Sequence, residues 1–298
     1  MEYQFLGKSS LQVSNIGFGC MSLSENDADN NRLLHAAIEK GINFFDTADL
    51  YGQGRNEITV GKALKEKRKD LVIATKVGNQ WKPDGSGWIW NPRKEYILSA
   101  VNDSLQRLQT DYIDLYQLHG GTIEDTIDES IEAFNLLQQQ GKIRFYGISS
   151  IRPNVIRSYA YRSAICSVMM QYSLLDRRPE ESCFDLLADK NIGVLARGSL
   201  AGGLLVNKPA KAYLNYTEEA VKKAAAAVSS LSGNKRGKTQ TALQFVLQQP
   251  AVTSAIVGIR TMEQLDEAIK TIESPPLKQE ELVNLQDTIP KNYYKEHR

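Results

Sequence analysis

The sequence predicts an α/β protein whose parallel strands close into a (β/α)8 TIM barrel, and three observations support this fold class. About eight short, nearly all-apolar runs recur along the chain, as expected of strands covered on both faces. Amphipathic segments separate the runs, and strands that alternate with helices form a mainly parallel sheet. The length, 298 residues, suits about eight such units. We therefore predict a single domain over residues 1–298.

The predicted strands are the apolar runs themselves. In chain order they are NIGFG, INFFD, LVIATK, IDLYQLH, FYGIS, SVMMQYS, GVLARG and SAIVG. The competing architecture, a doubly wound open sheet, normally carries a G-x-G-x-x-G turn after its first strand. The first run here continues as IGFGCMS, which lacks the third glycine at that spacing. The closed barrel is therefore preferred.

Apolar residues at helical spacing predict helices between the strands. The clearest segments are residues 30–40, 93–108, 126–140 and 261–272. Residues 2–14 are expected to form a β-hairpin that turns at Gly7 and plugs the barrel floor. The tail after Pro276 predicts an extra helix near the C-terminus. Two long loops, 77–91 and 198–216, are typical of lids or binding loops.

Composition excludes several classes of protein. The net charge of +1 gives no electrostatic reason to expect nucleic acid or an anionic membrane as a partner. The N-terminus lacks the pattern of a secretory signal, and no apolar run is long enough to span a bilayer. The cysteines are three and widely spaced, which indicates reduced thiols and a cytoplasmic protein. The histidines share no ligand spacing, so no metal site is predicted.

Polar residues follow three successive predicted strands. Asp46 ends INFFD, Lys76 ends LVIATK and His119 ends IDLYQLH, while Tyr51 lies about one turn after Asp46. Barrel enzymes carry their reactive groups at these strand ends, so the four should meet at one mouth. Taken singly, each could be a helix cap, a surface lysine, a packed aromatic or a core histidine. Together they predict an active site.

The chemistry of the four residues suggests carbonyl reduction. A buried lysine must be paired, and Asp46 is the available partner of Lys76. A lysine cation near Tyr51 is expected to favour the phenolate and so make this tyrosine a usable acid. The proton would go to the oxygen of a carbonyl that receives a hydride. His119 would hydrogen-bond the same oxygen.

These residues lie in segments that resemble the aldo-keto reductase family. The segment GINFFDTADLYGQGRNE is similar to the family signature, as are the lysine of ATK and the histidine of QLHG, and the likeness extends to GIRTMEQLDEA. The resemblance implies that Asp46, Tyr51, Lys76 and His119 form a catalytic tetrad. It also implies NADPH as cofactor, with NADH less favoured, and a small-molecule carbonyl substrate.

The resemblance further assigns residues to the cofactor. It places Gly19, Cys20, Met21 and Asp46 beside the nicotinamide, and Ser149, Ser150, Gln171 and Tyr172 around its carboxamide and ring. It assigns the binding of the pyrophosphate to Arg197, Gly198, Ser199, Leu200 and Gly202. The adenosine end falls to Gly258, Arg260, Gln264 and Glu267, with Arg260 on the 2′-phosphate. The sequence departs from the family at Ser150, Gly258, Ile259 and Ala268.

Two other segments carry weaker signals. Residues 233–239, GNKRGKT, look like a phosphate loop but are one residue short between the glycines and follow no apolar strand, which favours a solvated basic loop capped by Thr239. Trp81 and Trp88 are predicted to form an apolar wall over the substrate. The alternative is that both tryptophan side chains only pack beneath the loop formed by residues 77–91.

Two other functions remain open. The chain could be a nicotinamide-binding sensor subunit with little turnover, which would copurify with a membrane complex. It could also be a Schiff-base lyase, since a lysine that ends a barrel strand can act as a nucleophile. Asp46 keeps Lys76 protonated and so disfavours the lyase. The natural substrate and the oligomeric state are not readable from the residues.

Overall fold

A computed structural model describes residues 1–298 and shows a closed parallel barrel, as predicted. All eight predicted strands form. They are β3 (Ile16–Gly19), β4 (Phe44–Asp46), β5 (Val72–Val77), β8 (Ile113–Leu118), β9 (Ile143–Ser149), β10 (Ser167–Gln171), β11 (Gly193–Arg197) and β12 (Val252–Gly258). Strand β12 pairs with β3, and β9 pairs with β10, so the sheet has no free edge.

The helices surround this barrel. They are α1 (Asp27–Glu39), α2 (Arg55–Leu64), α3 (Lys94–Leu108), α4 (Ile127–Gln139), α5 (Pro153–Arg162), α6 (Cys183–Asp189), α7 (Glu218–Ser230), α8 (Lys238–Leu247), α9 (Met262–Glu273) and α10 (Gln279–Thr288). The four helices predicted from apolar spacing correspond to α1, α3, α4 and α9, and the predicted tail helix is α10. No helix is long and apolar enough to cross a membrane.

The N-terminal hairpin closes the barrel floor. Strands β1 (Tyr3–Phe5) and β2 (Gln12–Ser14) pair antiparallel, and the turn between them includes Gly7 at a φ of 54°. A side chain at Gly7 would come within 2.4 Å of the carbonyl oxygen of Cys166, so only glycine fits there. Leu6 and Leu11 are buried and pack with interior residues of the strands. The plug follows from these contacts.

Two loop predictions are corrected. The segment 77–91 contains a second hairpin, with β6 (Asn79–Trp81) paired to β7 (Trp88–Trp90). In the segment 233–239, Arg236 is buried and donates to Glu281, so this loop is not simply solvated. Helix α8 is capped at Gly237, whose N–H donates to Gln240, and Thr239 lies inside the helix.

Candidate active site

A buried ion pair lies at the mouth of the barrel. Because strand residues alternate in direction, Lys76 points inward while its neighbour Thr75 points outward to Glu57. The Lys76 ammonium donates to the Asp46 carboxylate at 2.6 Å and to the Thr47 carbonyl at 2.6 Å. The Lys76 side chain is 1% exposed. These contacts supply the compensation that a buried charge requires.

Tyr51 approaches this pair from the loop after β4. The Lys76 ammonium donates to the Tyr51 hydroxyl at 3.4 Å and lies 5.0 Å from the centre of its ring. Two main-chain bonds hold the loop, one from Tyr51 to the carbonyl of Ala48 and one from Asp49 to that of Lys76. The structure thus brings the three predicted residues together.

The electrostatics of the pair keep the lysine charged. Burial alone would lower the pKa of Lys76, but the charge of Asp46 and the hydrogen bonds to Asp46 and Tyr51 outweigh it, so this pKa stands above its ordinary value. The ammonium is therefore a fixed cation and a hydrogen-bond donor at neutral pH.

His119 completes the group. Its ring meets that of Tyr51 edge-on, with the two centres 5.8 Å apart. Burial, with a further contribution from Lys76, lowers the pKa of His119 to about 3. The imidazole is accordingly neutral at physiological pH and offers one N–H donor. Its Nδ1 atom is buried and has no partner within the protein.

Two residues that support the site were not identified from the sequence. Gln117 is fully buried and donates to Asp46 at 3.2 Å, and Asn79 donates to the main-chain carbonyl of His119 at 3.1 Å. Gln117 stands opposite Lys76 in the register of β5 and β8. The available signal was a glutamine inside an apolar strand, two residues before the candidate histidine His119, because residues two apart share a face.

One cavity of about 660 Å³ opens beside His119. Ser149, Ser150 and Arg197, three of the predicted cofactor residues, line it. Ser199 is buried, and its hydroxyl has no partner. A side chain at Gly202 would meet no atom within 4 Å, so this main chain is open to a close-lying ligand. An orphaned hydroxyl and bare backbone beside an arginine fit a bound pyrophosphate.

The predicted adenosine end lies at the start of α9. Gly258 and Arg260 are exposed, and the Arg260 N–H donates to the Gln264 side chain at 2.9 Å. Glu267 accepts from Gln240 and pairs with Lys270 at 2.8 Å. The side chains of Gln264 and Glu267 are thus already engaged, whereas the Arg260 guanidinium is free to meet a phosphate.

Three further predicted residues, Cys20, Met21 and Tyr172, lie in different environments. Cys20 is buried, whereas Met21 is exposed next to it. Tyr172 is 2% exposed, packs between Phe184 and Phe245, and donates to Glu180, so its ring faces the outer helices instead of the cavity.

The tryptophans of the 77–91 segment differ in environment. Trp88 is half exposed, and the Trp81 indole N–H is buried without a partner. Trp90 packs over Gly78 and Gly120 and donates to Asp125 at 2.9 Å. Trp90 therefore anchors the hairpin to the strand ends and sets the position of the other two.

This fold and this group of residues define a barrel oxidoreductase. The chain belongs to the aldo/keto reductase family, whose model matches residues 15–289. The family interconverts carbonyl compounds and alcohols with nicotinamide cofactors. The chain is 49% identical to the uncharacterized oxidoreductase YqkF of Bacillus subtilis (strain 168), with both chains covered completely.

Solved structures show the same similarity. The holo form of aldo-keto reductase AKR11C1 from Bacillus halodurans is 48% identical and superposes with a TM-score of 0.94, over 100% of this chain and 99% of that one. The glycerol dehydrogenase AKR11B4 from Gluconobacter oxydans is 28% identical, with a TM-score of 0.83 over 94% and 92% of the two chains.

Proposed function

We propose that this protein reduces aldehydes or ketones with NADPH and that Tyr51 is the proton donor. The observation that carries the proposal is the buried Lys76 ammonium, which contacts Asp46 and the Tyr51 hydroxyl at once beside neutral His119. NADPH, when bound, supplies the hydride that the carbonyl carbon receives. The protein residues then govern the oxygen.

Each residue has one role at that oxygen. The Tyr51 hydroxyl gives its proton to the carbonyl oxygen, and the Lys76 ammonium stabilises the phenolate that remains. Neutral His119 donates an N–H to the same oxygen and so orients the carbonyl. Asp46 holds the lysine in place, because a buried ammonium without a carboxylate would lose its charge, and Gln117 donates to Asp46.

The proposed cofactor contacts are those that the family resemblance implies, and Ser149, Ser150 and Arg197 among them line the cavity. Gly19, Cys20, Met21, Ser149, Ser150 and Gln171 would surround the nicotinamide, residues 197–202 the pyrophosphate, and Gly258, Arg260, Gln264 and Glu267 the adenosine. The free Arg260 guanidinium supports a preference for NADPH, since a planar fork suits a phosphate. In Arg260→Ala, the ratio of kcat/KM for NADPH to that for NADH should fall about tenfold or more.

The test of the proposal is turnover by Tyr51→Phe. NADPH loss is followed by absorbance with a panel of small aldehydes. Wild-type protein should consume NADPH, and the variant should be slower by about 10²- to 10⁴-fold in kcat, because it lacks the proton. Tyr161→Phe, at an exposed tyrosine remote from the mouth, is the matched control. Equal rates for wild type and Tyr51→Phe would remove Tyr51 from the reaction.

A further inference from the structure

Two half-buried arginines lack a carboxylate partner, and both line the cavity beside His119. They are Arg152 and Arg197. Every other arginine that is not exposed forms an ion pair with an acid, and these pairs are Arg68–Asp114, Arg107–Glu57, Arg177–Glu180, Arg178–Asp176 and Arg236–Glu281. A partly desolvated guanidinium without an acid is costly to the fold, so these two cations call for an anion from outside.

The two arginines do not compete for the same anion. Arg197 ends β11 directly before Gly198 and Ser199, where the proposed function already places the cofactor pyrophosphate. Arg152 follows β9, which β10 separates from β11 in the barrel, and stands at the N-cap of α5. Its guanidinium donates to the carbonyl of Gly121, two residues beyond His119, and has no other side-chain partner in the protein. This contact ties Arg152 to the loop that carries the histidine.

The free donors of Arg152 fit an oxyanion. A guanidinium carries five N–H donors in a fixed fork, and the bond to Gly121 uses only one nitrogen. The N-terminal end of α5 adds positive potential at the same place, and the first turn of this helix has no acidic residue. Arg178, also on the cavity wall, is neutralised by two bonds of 2.7 Å to Asp176.

The other charges that face Arg152 do not cancel it. The C-terminal tail crosses the cavity and presents Lys295 and Glu296, and the His297 carbonyl accepts from Asn154. The Glu296 side chain is 84% exposed, so water screens its charge. The carboxylate of Asp125 lies near Gly121, but it already accepts three hydrogen bonds from Trp90 and Thr122.

Resting on the reductase activity above, we propose that the preferred substrates are carbonyl compounds with an oxyanion group, a carboxylate or a phosphate, which Arg152 binds while the carbonyl meets Tyr51 and His119. Arg152 is then a specificity-determining residue and takes no part in proton transfer. Because Arg152 is fixed beside the His119 loop, the preferred substrates should have one particular distance between the carbonyl and the oxyanion.

The experiment compares three benzaldehydes that differ only in the group opposite the aldehyde. They are 4-formylbenzoate, 4-formylphenyl phosphate and the neutral methyl 4-formylbenzoate. For wild type, kcat/KM should be higher for at least one anion than for the ester. In Arg152→Gln, the ratio of kcat/KM for an anion to kcat/KM for the ester should fall about 10- to 100-fold, because a hydrogen bond to a charged group contributes about that factor. The two anions show whether carboxylate or phosphate is preferred.

Two controls secure the interpretation. Arg157→Gln removes an exposed arginine from the same helix and should keep the wild-type ratio. Arg152→Lys keeps the charge without the fork and should give an intermediate ratio. Without NADPH, calorimetry should show that terephthalate, a dianion with no reducible carbonyl, binds wild type more tightly than Arg152→Gln.

Different outcomes overturn different claims. The oxyanion site would be overturned if Arg152→Gln kept the wild-type ratio of kcat/KM for anion to ester while Tyr51-dependent reduction of the ester persisted. It would also be overturned if the variant lost affinity for NADPH by the same factor as it lost kcat/KM for the anions. No Tyr51-dependent turnover of any of the three aldehydes would overturn the proposed function itself.

Discussion

The floor of the barrel and its mouth are built from the same eight strands but differ in the side chains they enclose. At the floor, eleven buried residues form one apolar cluster around the plug, including Leu6, Leu11 and Phe44. At the mouth, Lys76 and Asp46 are buried as ions, and polar atoms of Gln117, His119 and Ser199 have no partner.

The difference shows how one barrel separates stability from chemistry. Apolar burial stabilises in proportion to the area removed from water, and it needs no ligand. Unpaired buried polar atoms cost free energy until a ligand satisfies them. The floor should therefore determine unfolding, and the mouth should determine rate and binding.

The largest expected effect is at the mouth. Lys76→Met leaves Asp46 buried without its cation and removes the donor to Tyr51. We expect kcat to fall by about 10³-fold or more and the free energy of unfolding to fall by about 3–5 kcal/mol. Steady-state rates and urea denaturation measure the two losses. The double variant with Asp46→Asn should regain part of the stability and none of the rate, and recovered turnover would argue against the role of Lys76.

The next effect breaks the floor. Leu6→Ala opens a cavity beneath the strands and should cost about 2–5 kcal/mol in the free energy of unfolding, while kcat and KM stay near the wild-type values. Phe5→Ala, at a neighbouring residue that is 59% exposed, should cost about 0.5 kcal/mol or less. A large change in kcat for Leu6→Ala below its unfolding temperature would mean that the two ends are coupled.

A smaller effect separates the role of His119 from its charge. Because burial lowers the pKa of His119 to about 3, the ring stays neutral from pH 5 to pH 8. His119→Phe, which keeps a ring but removes its N–H, should lower kcat by about 10²-fold. The ratio of wild-type to variant kcat should be flat across this pH range. A step in the ratio near pH 6 would show that the imidazolium acts instead.

The smallest effect concerns Asp49, which is buried near the mouth with neither carboxyl oxygen paired. Burial, with a further contribution from Glu57, raises the pKa of Asp49 to about 8, while the unfolded chain titrates near 4. The folded state therefore holds a proton that the unfolded state lacks between these values, and Asp49 makes stability fall as the pH rises through that window.

Asp49→Asn removes this dependence. The Tm of the variant minus the Tm of wild type should increase by about 2 °C or more between pH 5 and pH 8. Thermal unfolding followed by circular dichroism at several pH values measures the difference. A constant difference in Tm would show that Asp49 is ionised throughout the range.

The sequence was most informative where burial restricts the choice of residue. The strands were predictable because a strand covered on both faces is almost wholly apolar, as in VIATKV of β5. The same argument made Lys76 conspicuous at the end of that strand. The hairpin β6–β7 was not predictable, because only contacts such as that of Trp90 with Gly120 fix it.

The orientation of side chains was harder to predict than their position. Tyr172 comes directly after β10, but the direction of its ring depends on the space left by Phe184 of α6 and by Phe245 of α8, which is distant in sequence. Arg152 was not singled out for a similar reason. Its lack of an acid becomes visible only once the other inward arginines, apart from Arg197, are seen to have one.

A crystal structure with NADP⁺ tests the central claim most directly, because it shows where the nicotinamide lies relative to Lys76 and Tyr51. We predict the nicotinamide in the cavity beside His119, with room for one carbonyl group between its C4 atom and the Tyr51 hydroxyl, and with the Lys76 ammonium still on that hydroxyl. A nicotinamide bound away from the mouth, or a Lys76 turned from Tyr51, would contradict the account.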